Sequence, residues 1–99
     1  MKAIQRYVDL MTEELESAKD YAESYLSCKS KGNTKWSTRF HDMAEDELRH
    51  ANFIHEKAVE EITELKRVYT PPVEMEEVWE KSHKAFVEKC AWIMQMLSM

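Results

Sequence analysis

Apolar residues recur along this chain at spacings of three and four, and breakers cut the pattern into three stretches. The first covers residues 3–28 and ends in Lys29-Ser30-Lys31-Gly32-Asn33, a basic stop containing the sole glycine. The second covers residues 34–69 and ends at Pro71-Pro72, because a residue before proline avoids the helical region. The third covers residues 73–97, with proline allowed in its first turn. The first stripe is Ile4, Tyr7, Val8, Met11, Leu15, Ala18, Ala22, Tyr25 and Leu26. The second is Trp36, Phe40, Met43, Ala51, Ile54, Ala58, Ile62, Leu65 and Tyr69. The third is Met75, Trp79, Phe86, Cys90, Ile93, Met94 and Leu97. The pattern predicts an all-α chain of one domain, an antiparallel helical hairpin followed by a third helix.

Most charged residues fall opposite these stripes, as a solvated face requires. Three polar residues do not. Glu14 flanks the first stripe between Met11 and Ala18. Glu47 falls near the centre of the second stripe, and His50 is about 60° away. A carboxylate taken from water is costly unless it is paired or bound to metal. Glu and His three residues apart rise from adjacent turns of one face, a spacing that lets both ligate one ion. With the hairpin turn at Lys31 and Gly32, Glu14 faces the level between Glu47 and His50. A buried Glu–His contact without metal is the bland alternative.

Composition narrows the function further. The chain has 99 residues and a net charge of −5, with its basic residues scattered, which is wrong for nucleic acid. Two cysteines, Cys28 and Cys90, form no C-x-x-C pair, which excludes a thiolate zinc or rubredoxin-type site. The chain shows no apolar run near ~18 residues and no signal-peptide pattern, so a cytoplasmic protein is expected. No phosphate loop, nucleotide fingerprint or Ser-His-Asp set is present.

The segment Met43-Ala44-Glu45-Asp46-Glu47-Leu48-Arg49-His50-Ala51 resembles the A-x-x-E-x-x-H-A helix of the ferritin-like, rubrerythrin-related di-iron carboxylate family. Glu14, followed by Ala18 and Tyr21, is similar to that family's first helix. The resemblance covers residues 1–69. It implies a di-iron site with Glu14 and Glu47 as carboxylate ligands and His50 as the imidazole, manganese or zinc being the other candidates. A full family bundle has four helices carrying two such sets. This chain has one. Glu80 and His83 also read as E-x-x-H, but on the third helix they face positions 62 and 59, roughly 18 Å from Glu47 and His50. Ile93 and Met94 hold the level of the site there. The resemblance therefore implies a ferritin-like four-helix bundle completed by dimerisation, similar to the encapsulated ferritins, with a homodimer or an assembly of dimers sharing each site. Ferrous-iron oxidation with dioxygen or peroxide is the implied chemistry, and the implied protein is a ferroxidase-type oxidoreductase. The alternative is a non-catalytic helical interaction module with at most a structural metal.

Lesser candidates remain. Tyr7, Tyr21 and Tyr25 are core positions, and Tyr21 or Tyr25 could donate to a ligand carboxylate. Glu61 and His83 share a level and form an alternative metal site. His41 and His55, at the edge of the second stripe, are expected at the surface. Met94, Met96 and Met99 form a methionine-rich end suited to packing or an oligomer contact.

Overall fold

Three stretches without an internal glycine or proline satisfy their backbones most simply as helices. The structure, a computed structural model describing residues 2–99, has α1 (Lys2–Ser30), α2 (Thr34–Val68) and α3 (Val73–Leu97), with no strand among the described residues. The hairpin turn is built by local chemistry. Gly32 takes a φ of 72°, the left-handed region open to glycine, and the amides of Gly32 and Asn33 bond back to the Lys29 and Cys28 carbonyls. The Asn33 side chain then accepts from the Trp36 amide and caps α2. Pro72 starts α3, whose first turn carries Glu74 and Glu76 where the helix dipole favours negative charge.

Alanines line the seam between α1 and α2. Ala18, Ala22, Ala44, Ala51 and Ala58 are wholly buried. Around them pack Met11, Leu15, Leu48 and, from α3, Phe86, Ile93 and Leu97. A smaller cluster of Ile4, Ile62 and Met75 closes the far end. Helix α3 covers one side of the hairpin. It meets α1 through the packed cluster of Met11, Leu15 and Phe86, and Lys89 pairs with Glu16. It meets α2 through Lys66–Glu76 at 3.3 Å and a His55–His83 contact.

The stripes are therefore occupied unevenly. On the first half of α2 the buried line is Ser37, Ala44, Leu48 and Ala51. Trp36 and Met43 are 43% and 38% exposed, on the side away from α3. The broad stripe is split because only small residues fit the seam. Met94 is exposed rather than in the core, since Ile93 takes the inward position. His41 and His55 are half-buried rather than at the surface, because each is held by α3: His41 by the Leu97 carbonyl and His55 by His83.

The molecule measures 55 × 18 × 17 Å and exposes 6699 Å². A compact monomer of 11.8 kDa exposes roughly 5,900 Å². The excess goes with the elongated shape. Ile93, wholly buried, ties α3 to the seam. Ile93→Ala should cost about 2–4 kcal/mol in denaturant unfolding. A loss below about 1 kcal/mol would mean that α3 is not held there.

Candidate metal centre

The alanine seam brings three polar side chains from two helices to one level. Glu14 stands on α1 one turn before Ala18, and Glu47 and His50 stand on α2 between and beside Ala44 and Ala51. One donor atom from each lies within 4.8 Å of the other two. His50 Nδ1 is 3.8 Å from Glu14 Oε2 and 3.6 Å from Glu47 Oε1. Those distances are too long for hydrogen bonds. They match donors about 2.1 Å from a shared cation, which stand about 3–4 Å apart.

The group sits on the side of the hairpin opposite α3. The side chains of Glu14, Glu47 and His50 are 28%, 22% and 46% exposed. Glu47 and His50 are thus at the rim of the buried face rather than at its centre, because Leu48 and Ala51 take the seam. Trp36 and Met43, seven residues apart and so on one side of α2, are exposed here. No α3 residue joins the group among the described residues. Ile93, at the expected level, is in the core on the other side.

The electrostatics identify what the group lacks. The Glu47 carboxyl is pushed above the ordinary value, first by sharing a hydrogen bond with Glu14, then by burial and by the Glu14 charge; Asp46 adds to the rise and His50 opposes it. Two carboxylates are held together against their own repulsion, and the neighbouring imidazole offsets it only in part. A proton relieves the repulsion, and a divalent cation relieves it more fully. The donor set, two hard carboxylates and one imidazole, fits iron, manganese or zinc.

The other sequence candidates fall elsewhere. Tyr21 stacks on Phe40 with ring centroids 6.3 Å apart. Tyr25 accepts a 3.3 Å hydrogen bond from Lys29 and sets its ring against His41. Neither is hydrogen-bonded to Glu14 or Glu47 among the described residues. Glu61 and His83 do not meet: Glu61 pairs with Lys57 at 3.2 Å, and His83 bonds His55. A second group, His41, Asp42 and Glu45, escaped the sequence reading. His41 Nδ1 is 3.0 Å from Glu45, and Nε2 donates to the Leu97 carbonyl at 3.0 Å. The i,i+4 spacing of His41 and Glu45 was the available signal, but all three residues lie on one helix and both carboxylates are exposed. A scan against family models gave no match, and searches of the curated proteins and of the solved structures found none either.

Glu47 gives a sign-determined pH test. Its folded value is raised, so its contribution to stability is full below the ordinary carboxyl value and is lost as pH rises through the folded one. Glu47→Gln should therefore stabilise the metal-free protein at pH 7, by up to about 1 kcal/mol for a partly exposed pair. The gain should vanish on acidification, as wild-type Glu47 takes up its proton. Thermal melts in chelator across pH 4–8 check this, and parallel curves for the two proteins would refute it.

Proposed function

We propose that the chain is a ferritin-like metal-binding protein that holds iron through Glu14, Glu47 and His50 and oxidises ferrous iron. The observation carrying this reading is the convergence of those three donors, from two helices, within 4.8 Å. The motif resemblance of the α2 segment adds the choice of iron. Cytoplasmic placement is part of the same proposal, in keeping with the absence of any described helix long and apolar enough to cross a membrane.

One chain supplies two carboxylates and one imidazole, which is half of a dinuclear set. We propose that a second copy packs on the open side of the hairpin and supplies the other half. The exposed Trp36 and Met43 beside the group support that placement. The pair of chains would then offer four carboxylates and two imidazoles around two ions.

Two ferrous ions held there would each give one electron to dioxygen, which with two protons leaves as hydrogen peroxide. The protein's part is positional and electrostatic. Glu14 and Glu47 offset positive charge that grows on oxidation, and Glu47, with its raised affinity for protons, is suited to take up and release one as ions come and go. His50, the most exposed of the three, lies nearest the rim, where the second copy would cover it.

A homodimer is expected by sedimentation with metal supplied; a ~12 kDa monomer at micromolar concentration would defeat the shared site. Protein loaded with ferrous iron in air should consume it faster than buffer, at two irons per dimer in the first turnover. Glu47→Ala and His50→Ala should abolish tight binding and this rate while keeping helical content, and Glu14→Ala should weaken both. Stopped-flow absorbance with parallel oxygen uptake is the measurement. The same exposed apolar residues also favour a non-catalytic interaction module. Metal bound without turnover, or none bound, would turn the assignment to that reading.

A further inference from the structure

On the α3 side of the hairpin, His55 and His83 point ring nitrogens at each other, with Nε2 of His55 2.8 Å from Nδ1 of His83. The rings are fixed by their neighbours. His55 stacks on Phe86 at 4.6 Å and 13°, and Trp79 flanks both imidazoles at 5.5 and 6.1 Å. We infer that this pair is a bis-imidazole site, bridging α2 and α3, for a borderline divalent cation of the Cu²⁺, Ni²⁺ or Zn²⁺ class. It is independent of the carboxylate centre and of the function proposed for it.

Geometry is the first argument. Two imidazole nitrogens bound at ~2.0–2.1 Å to one ion stand about 2.9 Å apart at a right angle and about 3.4 Å at a tetrahedral one. The observed separation is within a few tenths of an ångström of the first. A small outward turn of one ring reaches the second. The cation takes the place of the one proton the two rings now share.

Availability is the second argument. A ligating imidazole must be neutral. Burial, and then the adjacent His83, hold His55 below the ordinary imidazole value, which favours its neutral, ligating form. The outer nitrogens, Nδ1 of His55 and Nε2 of His83, have no protein hydrogen-bond partner among the described residues, so both tautomers are open to the pair. The two side chains are half-buried, which leaves room for water to complete the coordination.

Donor chemistry is the third. Neither carboxylate-containing group of potential ligands includes His55 or His83. A nitrogen-only pair favours Cu²⁺, Ni²⁺ and Zn²⁺ over iron and manganese, which want carboxylate oxygens. The two helices are otherwise joined by the Lys66–Glu76 pair, the packing of Ile62 on Met75 and the His41–Leu97 hydrogen bond. A bound ion would therefore clamp α3 to α2.

The test uses the full chain with Cu²⁺ and Zn²⁺ as probes. Cu²⁺ should show a two-nitrogen hyperfine pattern in its electron paramagnetic resonance spectrum in wild type and in Glu47→Ala. His55→Gln and His83→Gln, each checked for helical content by circular dichroism, should lose that pattern and bind at least about tenfold more weakly by calorimetry. In the Glu47→Ala background, where the carboxylate centre is disabled, Zn²⁺ should raise the melting temperature in a concentration-dependent way, and it should not do so once His55→Gln or His83→Gln is added. An unchanged copper spectrum in both histidine variants would overturn the proposal, as would a Zn²⁺ shift that survives in the Glu47→Ala background carrying either histidine substitution. A pattern lost in Glu47→Ala but kept in the histidine variants would assign the copper to the carboxylate centre and overturn it equally.

Discussion

The close approach of α1 and α2 along a line of alanines is the constraint on which everything else depends. Ala18 and Ala22 on one helix, and Ala44, Ala51 and Ala58 on the other, have no exposed area left. Interhelical distance is set by the side chains at the contact, and small ones bring the axes to the short end of the range. Only at that separation do Glu14, Glu47 and His50 come within 4.8 Å of one another. The alanines also flank the polar residues, one turn from Glu14 and within three residues of Glu47 and one of His50. The seam and the candidate centre are therefore a single construction: widening the first would dismantle the second.

A narrow seam also divides the hairpin into two unlike sides. Helix α3 fills one with Phe86, Ile93 and Leu97, and the other keeps Trp36 and Met43 partly in solvent beside the carboxylates. This placement moderates the electrostatics. The shared hydrogen bond with Glu14, and then partial desolvation, push the Glu47 carboxyl up. Under the proposed dimer, covering that side would remove water and sharpen the repulsion. A cation would then be worth more to the assembled protein than to the single chain.

The helices were readable because the chain has few breakers and each acts by a known local mechanism, as Gly32 and Pro72 do. The level of Glu14 against Glu47 and His50 was readable because a short turn fixes the register of an antiparallel hairpin. Periodicity could not say which half of a broad stripe faces which neighbour. So Glu47 was expected at the centre of the buried face and lies at its rim, while Leu48, absent from the stripe, is buried. The third helix was harder. Its partner is the hairpin as a whole, and its rotation depends on aromatic packing rather than on a turn. His83 accordingly reaches His55 and not Glu61, and His41 is tied to the Leu97 carbonyl from the far end of α3. No spacing within one helix encodes either contact.

Local rules are most informative where the chain breaks them. Leucine at positions 14 and 47 would have extended the apolar face, with no repulsion to offset and no polar group to desolvate. The chain instead places two like charges side by side, adds Asp46 to the same field, and supplies one imidazole against them. By contrast, Lys89–Glu16 and Lys57–Glu61 show ordinary pairing by opposite charge elsewhere on the same helices. An arrangement of this kind lowers the stability of the metal-free fold and gains from any cation that enters. That asymmetry separates Glu14, Glu47 and His50 from the solvated acidic face around them, and it is the physical ground for reading them as ligands.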